Sequence, residues 1–266
     1  MQKLKAASVA ATTALTITAT APALALDFAG LNNRNEIVLF SDRSPASIKV
    51  IGITGVQGKI IGIDVRPADG KLYALATDST LYTIDEKTGA ATRKAVLSNR
   101  LDSIDHVVVD FNPQADRLRV MGSSGQNLRV NVDTGQTIVD GKLSYHSSDR
   151  MAGKAFGIYA GAYINSYKGA KQTQLFNVDS ANGTYVVQDP PNDGILRTVG
   201  PTGLKAGSIV DAIDIYTDSK DEYFGYAVSN AILYRFDVGT GTMKKIGHIG
   251  NGQTGIIDIA VLTPSR

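Results

Sequence analysis

One outline recurs along this chain, and it leaves few folds open. Residues 59–97 show it in full. Lys59-Ile-Ile-Gly-Ile-Asp-Val65 is a short apolar run dense in β-branched side chains, and Pro67-Ala-Asp-Gly70 is turn chemistry. Proline presets φ for the turn and glycine accepts a positive φ without steric cost. Two more apolar runs follow, Lys71-Leu-Tyr-Ala-Leu75 and Leu81-Tyr-Thr-Ile84. Asp85 and Thr88-Gly89 bracket a second tight turn, and residues 92–97 supply a fourth run. Four short runs joined by tight turns form an antiparallel meander.

The outline returns in Asp110-Phe-Asn-Pro113, Leu118-Arg-Val-Met121 and Leu128-Arg-Val-Asn-Val-Asp133-Thr-Gly135. It returns again in Asp214-Ile-Tyr-Thr217, Tyr223-Phe-Gly-Tyr-Ala227 and Leu233-Tyr-Arg-Phe-Asp237-Val-Gly-Thr-Gly241, with a weaker copy in Leu175-Phe-Asn-Val-Asp179-Ser-Ala-Asn-Gly183. The turn glycines 89, 135, 183 and 241 stand 46, 48 and 58 residues apart. The offset from turn aspartate to turn glycine is four in three copies and two, from Asp133 to Gly135, in the other. A period of roughly 40–50 residues with four strands per unit marks a propeller. One such sheet cannot bury both its faces, whereas wedges stacked around an axis can.

Gly255-Ile-Ile-Asp-Ile-Ala-Val-Leu262 reads as the innermost strand of one more blade. Asn35-Glu-Ile-Val-Leu-Phe40 and Ser47-Ile-Lys-Val-Ile51 read as its outer strands. A last blade built from both termini would close the ring and leave no long sheet edge open. The expected fold is therefore all-β: a β-propeller of five four-stranded blades, with six left open by the extra sequence over 190–207. Residues 26–34 read as a short exposed lead-in. No sustained 3.6-residue period argues for a helix of useful length.

Residues 1–25 are sequence of another kind. Lys3 and Lys5 precede an uncharged, Thr-rich apolar stretch, and Ala23-Leu24-Ala25 fits a small-residue cleavage site. This reads as an export signal peptide, too short and too polar in its core for a good membrane span. The expected organisation is signal peptide over 1–25 and one propeller domain over 26–266. The expected address is periplasmic or extracellular, with no membrane insertion after cleavage. The whole chain has 27 Lys+Arg and 25 Asp+Glu. Leaving out 1–25 removes two lysines and no acid, so the two counts become equal. No basic run remains to track phosphates, which argues against nucleic acid as a partner. With no cysteine, disulfides, thiolate nucleophiles and thiolate metal sites are excluded.

The combination of Gly62-Ile-Asp-Val-Arg-Pro67, Asp110-Phe-Asn-Pro113 with Asp116-Arg-Leu-Arg119, Gly125-Gln-Asn-Leu-Arg129 and Pro190-Pro-Asn-Asp-Gly194 resembles a bacterial family of domains of unknown function, numbered 4394. The resemblance runs in order over nearly all of the chain after residue 25. It implies an exported propeller-like protein and carries no established reaction, ligand or functional residue. The third repeat, with Tyr163-Ile-Asn-Ser166, departs most from the pattern.

Four aspartates form the best chemical constellation: Asp64, Asp110, Asp214 and Asp258 each lie toward the end of the first strand of a different repeat. In a propeller those strands line the central channel. Carboxylates gathered there would hold a hard cation such as Ca²⁺ through oxygen ligands. The competing reading is that each aspartate caps its own turn by accepting backbone N–H bonds. The turn aspartates Asp85, Asp133, Asp179 and Asp237 read as caps of that kind.

Arg66, Arg117, Arg119 and Arg129 are candidates for an anionic ligand, because a guanidinium matches a carboxylate bidentately. Asn192 and Asp193 join them as a candidate binding loop; salt bridging and a rigid turn explain the same residues structurally. His106, His146 and His248 are scattered, and no nucleophile elbow, zinc helix motif, phosphate loop or dinucleotide fingerprint occurs. No catalytic residue is assigned. The first functional expectation is a binding or scaffold module that presents loops to a protein, glycan or small ligand. The alternatives are a metal-dependent hydrolase or lactonase-like enzyme with a cation in the channel, and a purely structural surface or matrix protein.

Overall fold

The computed structural model describes residues 25–263. Residues 1–24 of the expected signal peptide lie outside the described residues. From the N-terminus the chain first makes three strands, β1 (Asp27–Asn32), β2 (Glu36–Ser41) and β3 (Lys49–Gly52). Four repeats follow. Blade I is β4 (Ile60–Val65), β5 (Leu72–Ala76), β6 (Thr80–Ile84) and β7 (Ala91–Val96). Blade II is β8 (Val107–Asn112), β9 (Arg117–Gly122), β10 (Asn127–Val130) and β11 (Thr137–Val139). A two-residue strand, β12 (Ser144–Tyr145), joins the outer edge of blade III, which is β13 (Ile158–Tyr163), β14 (Leu175–Asp179), β15 (Thr184–Gln188) and β16 (Ile195–Pro201). Blade IV is β17 (Ala212–Thr217), β18 (Tyr223–Ser229), β19 (Ile232–Phe236) and β20 (Met243–His248). The last strand, β21 (Ile256–Val261), pairs with β1, so blade V has the order β21-β1-β2-β3.

The first strands β4, β8, β13, β17 and β21 each neighbour two others and close a ring of five. The propeller therefore has five blades, and its seam is knitted by both ends of the chain. The sequence over 190–207 makes no sixth blade. It forms a single 3-10 turn, Pro191–Asp193, followed by the outer strand β16. The described residues contain no α-helix, and none of their helices is long and apolar enough to cross a membrane.

One expectation is corrected. Residues 27–32 are not an exposed lead-in but β1, the second strand of blade V, hydrogen-bonded on both sides. Phe28, Ala29 and Leu31 are fully buried.

Alternation builds the core. Successive strand residues point to opposite faces, so each blade feeds two interfaces. In β5, Tyr73 and Leu75 pack toward blade II while Leu72, Ala74 and Ala76 pack toward blade V. Five apolar clusters result, one at each blade–blade interface. Polarity grades outward: β5 is wholly buried, whereas β7 and β20 carry Arg93, Lys94, Lys244 and Lys245 into solvent. Charged residues on outer strands also discourage edge-to-edge pairing.

The recurring turn glycines are explained by close approach. Gly89 and Gly135 have φ of +75° and +77°, and a Cβ at either would run into a carbonyl of the preceding blade's last strand, Gly52 and Val96 respectively. Each also accepts a hydrogen bond from the chain leaving that blade, from the Thr54 and Ser98 amides at 2.9 Å.

Candidate functional site

The innermost strand of every blade is a sheet edge. Its ladder bonds are made on one side only, so amides on the other side point into the channel without a strand partner. A buried N–H needs an acceptor. The four channel aspartates provide it, and they do so between blades.

Asp64 accepts its neighbour Val65 N–H at 2.7 Å and, across the interface, Phe111 N–H of blade II at 2.6 Å. Asp110 accepts Tyr163 N–H of blade III at 2.9 Å. Asp214 accepts Ile215 N–H and Val261 N–H of blade V, both at 2.6 Å. Asp258 accepts Ile259 N–H at 2.9 Å and Ile63 N–H of blade I at 2.8 Å. Each carboxylate thus stitches its blade to the next. At the remaining junction a hydroxyl takes the role, Thr217 Oγ1 accepting Asn165 N–H at 3.1 Å.

These bonds also fix the levels in the channel. Phe111, Tyr163 and Val261 each follow the residue that stands level with Asp64: Asp110, Ala162 and Ala260. One level therefore holds Asp64, Asp110, Ala162, Asp214 and Ala260. Asp258 bonds Ile63, which follows Gly62, so it lies one level deeper. The reading of caps on their own turns is corrected: the acceptors serve seven strand amides, four of them in the adjacent blade.

All four aspartates are buried. Asp64, Asp110 and Asp214 bring one carboxylate oxygen each to within 4.8 Å of one another. Burial drives the carboxyls of Asp64, Asp110 and Asp258 well above the ordinary carboxylate range, and the neighbouring carboxylates push them further the same way. Burial raises Asp214 to about 6, where its two short amide bonds hold it. Like charges this close and this buried cannot all persist uncompensated. The cluster must take up protons or a cation.

The residues fit a hard cation. Three oxygens no more than 4.8 Å apart have a common point within about 2.8 Å of each (4.8/√3). That is near the 2.3–2.6 Å at which Ca²⁺ takes oxygen ligands and loose for the 2.0–2.1 Å of Mg²⁺. Each oxygen bonded to an amide keeps a second lone pair. The cluster is reached from a cavity of about 280 Å³, walled by Asp64, Asp214 and Pro67 and rimmed by Lys168 and Thr263.

The other candidates lie elsewhere and are engaged. Arg66 clamps blade I to blade II, with Asp116 at 2.6 Å and Asp133 at 3.0 Å, and also reaches Tyr73 Oη at 3.2 Å. Its hydrogen bonds hold the Asp116 carboxyl below the ordinary range. Arg117 donates to the carbonyls of Ala115 and Asp116. Arg119 is buried, bonded to Asp140 at 2.7 Å and to Asn127 and Asn192 at 2.8 Å. The Asn192 side chain is therefore an anchor for its loop, and Asp193 is exposed. These residues do not converge on one cavity, so no anion site is built from them.

The turn reading also needs one correction. Asn131, four residues before Gly135, caps the second repeat's turn by accepting Asp133 N–H at 3.0 Å. Asp133 is instead a partner of Arg66. Asp85 and Asp237 do cap their turns, each accepting the Thr amide before the turn glycine, at 2.9 and 2.8 Å.

The comparisons agree with this architecture. The family model described as "Domain of unknown function (DUF4394)" matches residues 36–260. The chain belongs to the DUF4394 family. Its five-bladed ring and channel aspartates are thus features of a DUF4394 member. No curated protein matches it. Among solved structures it is similar to a protein of unknown function from Bacteroides thetaiotaomicron, with 16% identity and a TM-score of 0.52 over 88% of this chain and 63% of that one. It is also similar to a virginiamycin B lyase from Staphylococcus aureus (11%, TM-score 0.44, 80% and 63% covered) and to a protein of unknown function from Bacteroides caccae (8%, 0.42, 84% and 73%). This DUF4394 chain spans 63% of the length of the first of these. At 16% identity the likeness to the first of these is one of fold.

Proposed function

We propose that this DUF4394 member is an exported binding module, a rigid propeller that seats its ligand at the aspartate end of the channel with Ca²⁺ held by Asp64, Asp110 and Asp214. The observation that carries the reading is the convergence of three buried carboxylates from three blades, two of which, Asp64 and Asp214, stand in the wall of an open cavity. A bound cation would compensate their charge and offer a Lewis-acidic seat to an oxygen-bearing ligand. Lys168 on the rim adds a second point of attraction for an anionic group. The export element rests on residues 1–25.

The test is a thermal-unfolding series on chelator-treated protein titrated with Ca²⁺ and, separately, Mg²⁺. A ligand that binds only the folded state raises Tm with concentration, by about 2.7 kcal/mol of stability at a hundredfold excess over Kd. A saturable rise with Ca²⁺ and a weaker one with Mg²⁺ are expected. Tm independent of both ions would end the reading.

A further inference from the structure

The opposite end of the channel opens into a second cavity, also of about 280 Å³. Every blade contributes one residue to its wall: Ile61, Val107, Tyr159, Asp211 and Ile257. These five are equivalent. Each immediately precedes one residue of the level that holds Gly62, Val108, Ala160, Ala212 and Asp258. Four of the five are apolar or aromatic, and the fifth is a carboxylate.

That carboxylate has little to compensate it. Asp211 accepts Asn230 N–H at 3.2 Å, and it forms no ion pair among the described residues. Burial raises its pKa to about 6, so it is mainly ionised at neutral pH. His106 in the same wall stacks on Tyr159 with ring centroids 4.2 Å apart. Burial lowers the His106 pKa, so the imidazole is neutral above pH 7 and supplies no counter-charge. On the exposed rim Lys59 and Asp105 carry opposite charges, so they add no net charge to the mouth. A ligand entering this mouth meets apolar walls and one negative charge. The Asp258 carboxylate higher in the channel adds potential of the same sign when ionised.

We propose that this second mouth binds a small organic cation, a primary ammonium on a compact hydrocarbon body, with the ammonium on Asp211 and the hydrocarbon against Ile61, Val107 and Ile257. The ammonium offers three donors and the charge that the carboxylate lacks. The cavity lies just below the usual range for ligand pockets and suits a body of a few carbons.

The test titrates the full chain at pH 8 with n-hexylammonium, n-hexanol and hexanoate, with Ca²⁺ in excess throughout. The readout is the imidazole NMR signals of the three histidines. Hexylammonium should shift His106 saturably and leave His146 and His248 in place. Hexanol should bind about tenfold more weakly, the worth of a charge-assisted hydrogen bond, and hexanoate more weakly still. In Asp211→Asn, which keeps an acceptor for Asn230 N–H, the preference for the ammonium over the alcohol should disappear. Equal binding of the ammonium and the alcohol by the wild-type chain would overturn the proposal without recourse to the variant. So would equal shifts at all three histidines, or a preference that survives in Asp211→Asn. None of these outcomes bears on the Ca²⁺ response at the other mouth.

Discussion

Replacing Asp110 by asparagine should stabilise the metal-free protein, increasingly so as pH rises. Asp110 has a single hydrogen bond to keep, from Tyr163 N–H, and an asparagine Oδ1 keeps it. The new Nδ2 group then faces carboxylates rather than an amide. In the wild type the Asp110 carboxyl is held well above its ordinary range, first by burial and then by Asp64 and Asp214. Between the unfolded pKa and the raised folded pKa, the native state holds a proton that the unfolded state has released. Stability is therefore fully present below the unfolded value and falls with rising pH until the folded pKa is passed. The slope is about 1.4 kcal/mol per pH unit for one carboxyl. Asparagine removes that slope. For each pH unit of that window the variant should thus gain at most about 1.4 kcal/mol on the wild type, a Tm gap wider by roughly 3–6 °C per unit for a domain of this size. The cost of burying the amide is the same at every pH and drops out of the difference. Urea unfolding with chelator, at half-unit steps from pH 4.5 to 8, measures it, and parallel wild-type and variant curves would refute the electrostatic account. With Ca²⁺ added the ranking should reverse, because the variant has lost a ligand.

Three other substitutions probe the frame. Arg119→Ala should cost about 2–5 kcal/mol, since it opens a cavity and takes one of two guanidiniums from the Asp140 carboxylate, which keeps Arg129 at 2.6 Å; urea midpoints give the loss, and faster proteolysis over 189–194 should report release of the Asn192 anchor. Gly135→Ala should destabilise by more than the roughly 1–3 kcal/mol of a strained positive φ, because its Cβ also meets the Val96 carbonyl. Gly70→Ala is the control for that prediction: its φ is +70° with nothing within 4 Å, so an equal loss in thermal melts would show that close approach contributes nothing.

Much of the frame was legible because turn chemistry and alternation are local. Asp-x-x-Pro, the turn glycines and the paired apolar runs each act within a few residues, and their spacing implied the ring. β1 was hidden for the converse reason. Asp27-Phe-Ala-Gly-Leu-Asn32 lacks the repeat's turn, and its partners β2 and β21 become visible only once the ring is closed. Salt bridging was one of the two readings open for the arginines, but the partners were not legible because they are distant in sequence: Asp116 is 50 residues from Arg66, and Asn192 is 73 from Arg119. Asp133 was taken for a cap because aspartate so often is one. Asn131 stands where the four-residue offset places the cap, and either amide or carboxylate oxygen serves there. Equivalence of Asp64, Asp110 and Asp214 could be read from the repeat, whereas the deeper level of Asp258 depends on which amide it meets.

The channel poses a question of economy that the hydrogen bonds alone do not answer. Stitching one blade to the next needs an acceptor, and a neutral one suffices, as Thr217 shows between blades III and IV. Threonine, serine or asparagine at the other four junctions would satisfy the same amides without mutual repulsion. The chain instead places four carboxylates in a desolvated channel, where each raises the free energy of ionising the others. Two unit charges 4.8 Å apart repel by about 3.5 kcal/mol at an effective dielectric of 20. A role in blade packing does not require that repulsion. A site that binds positive charge does, because the same term changes sign when the cation arrives.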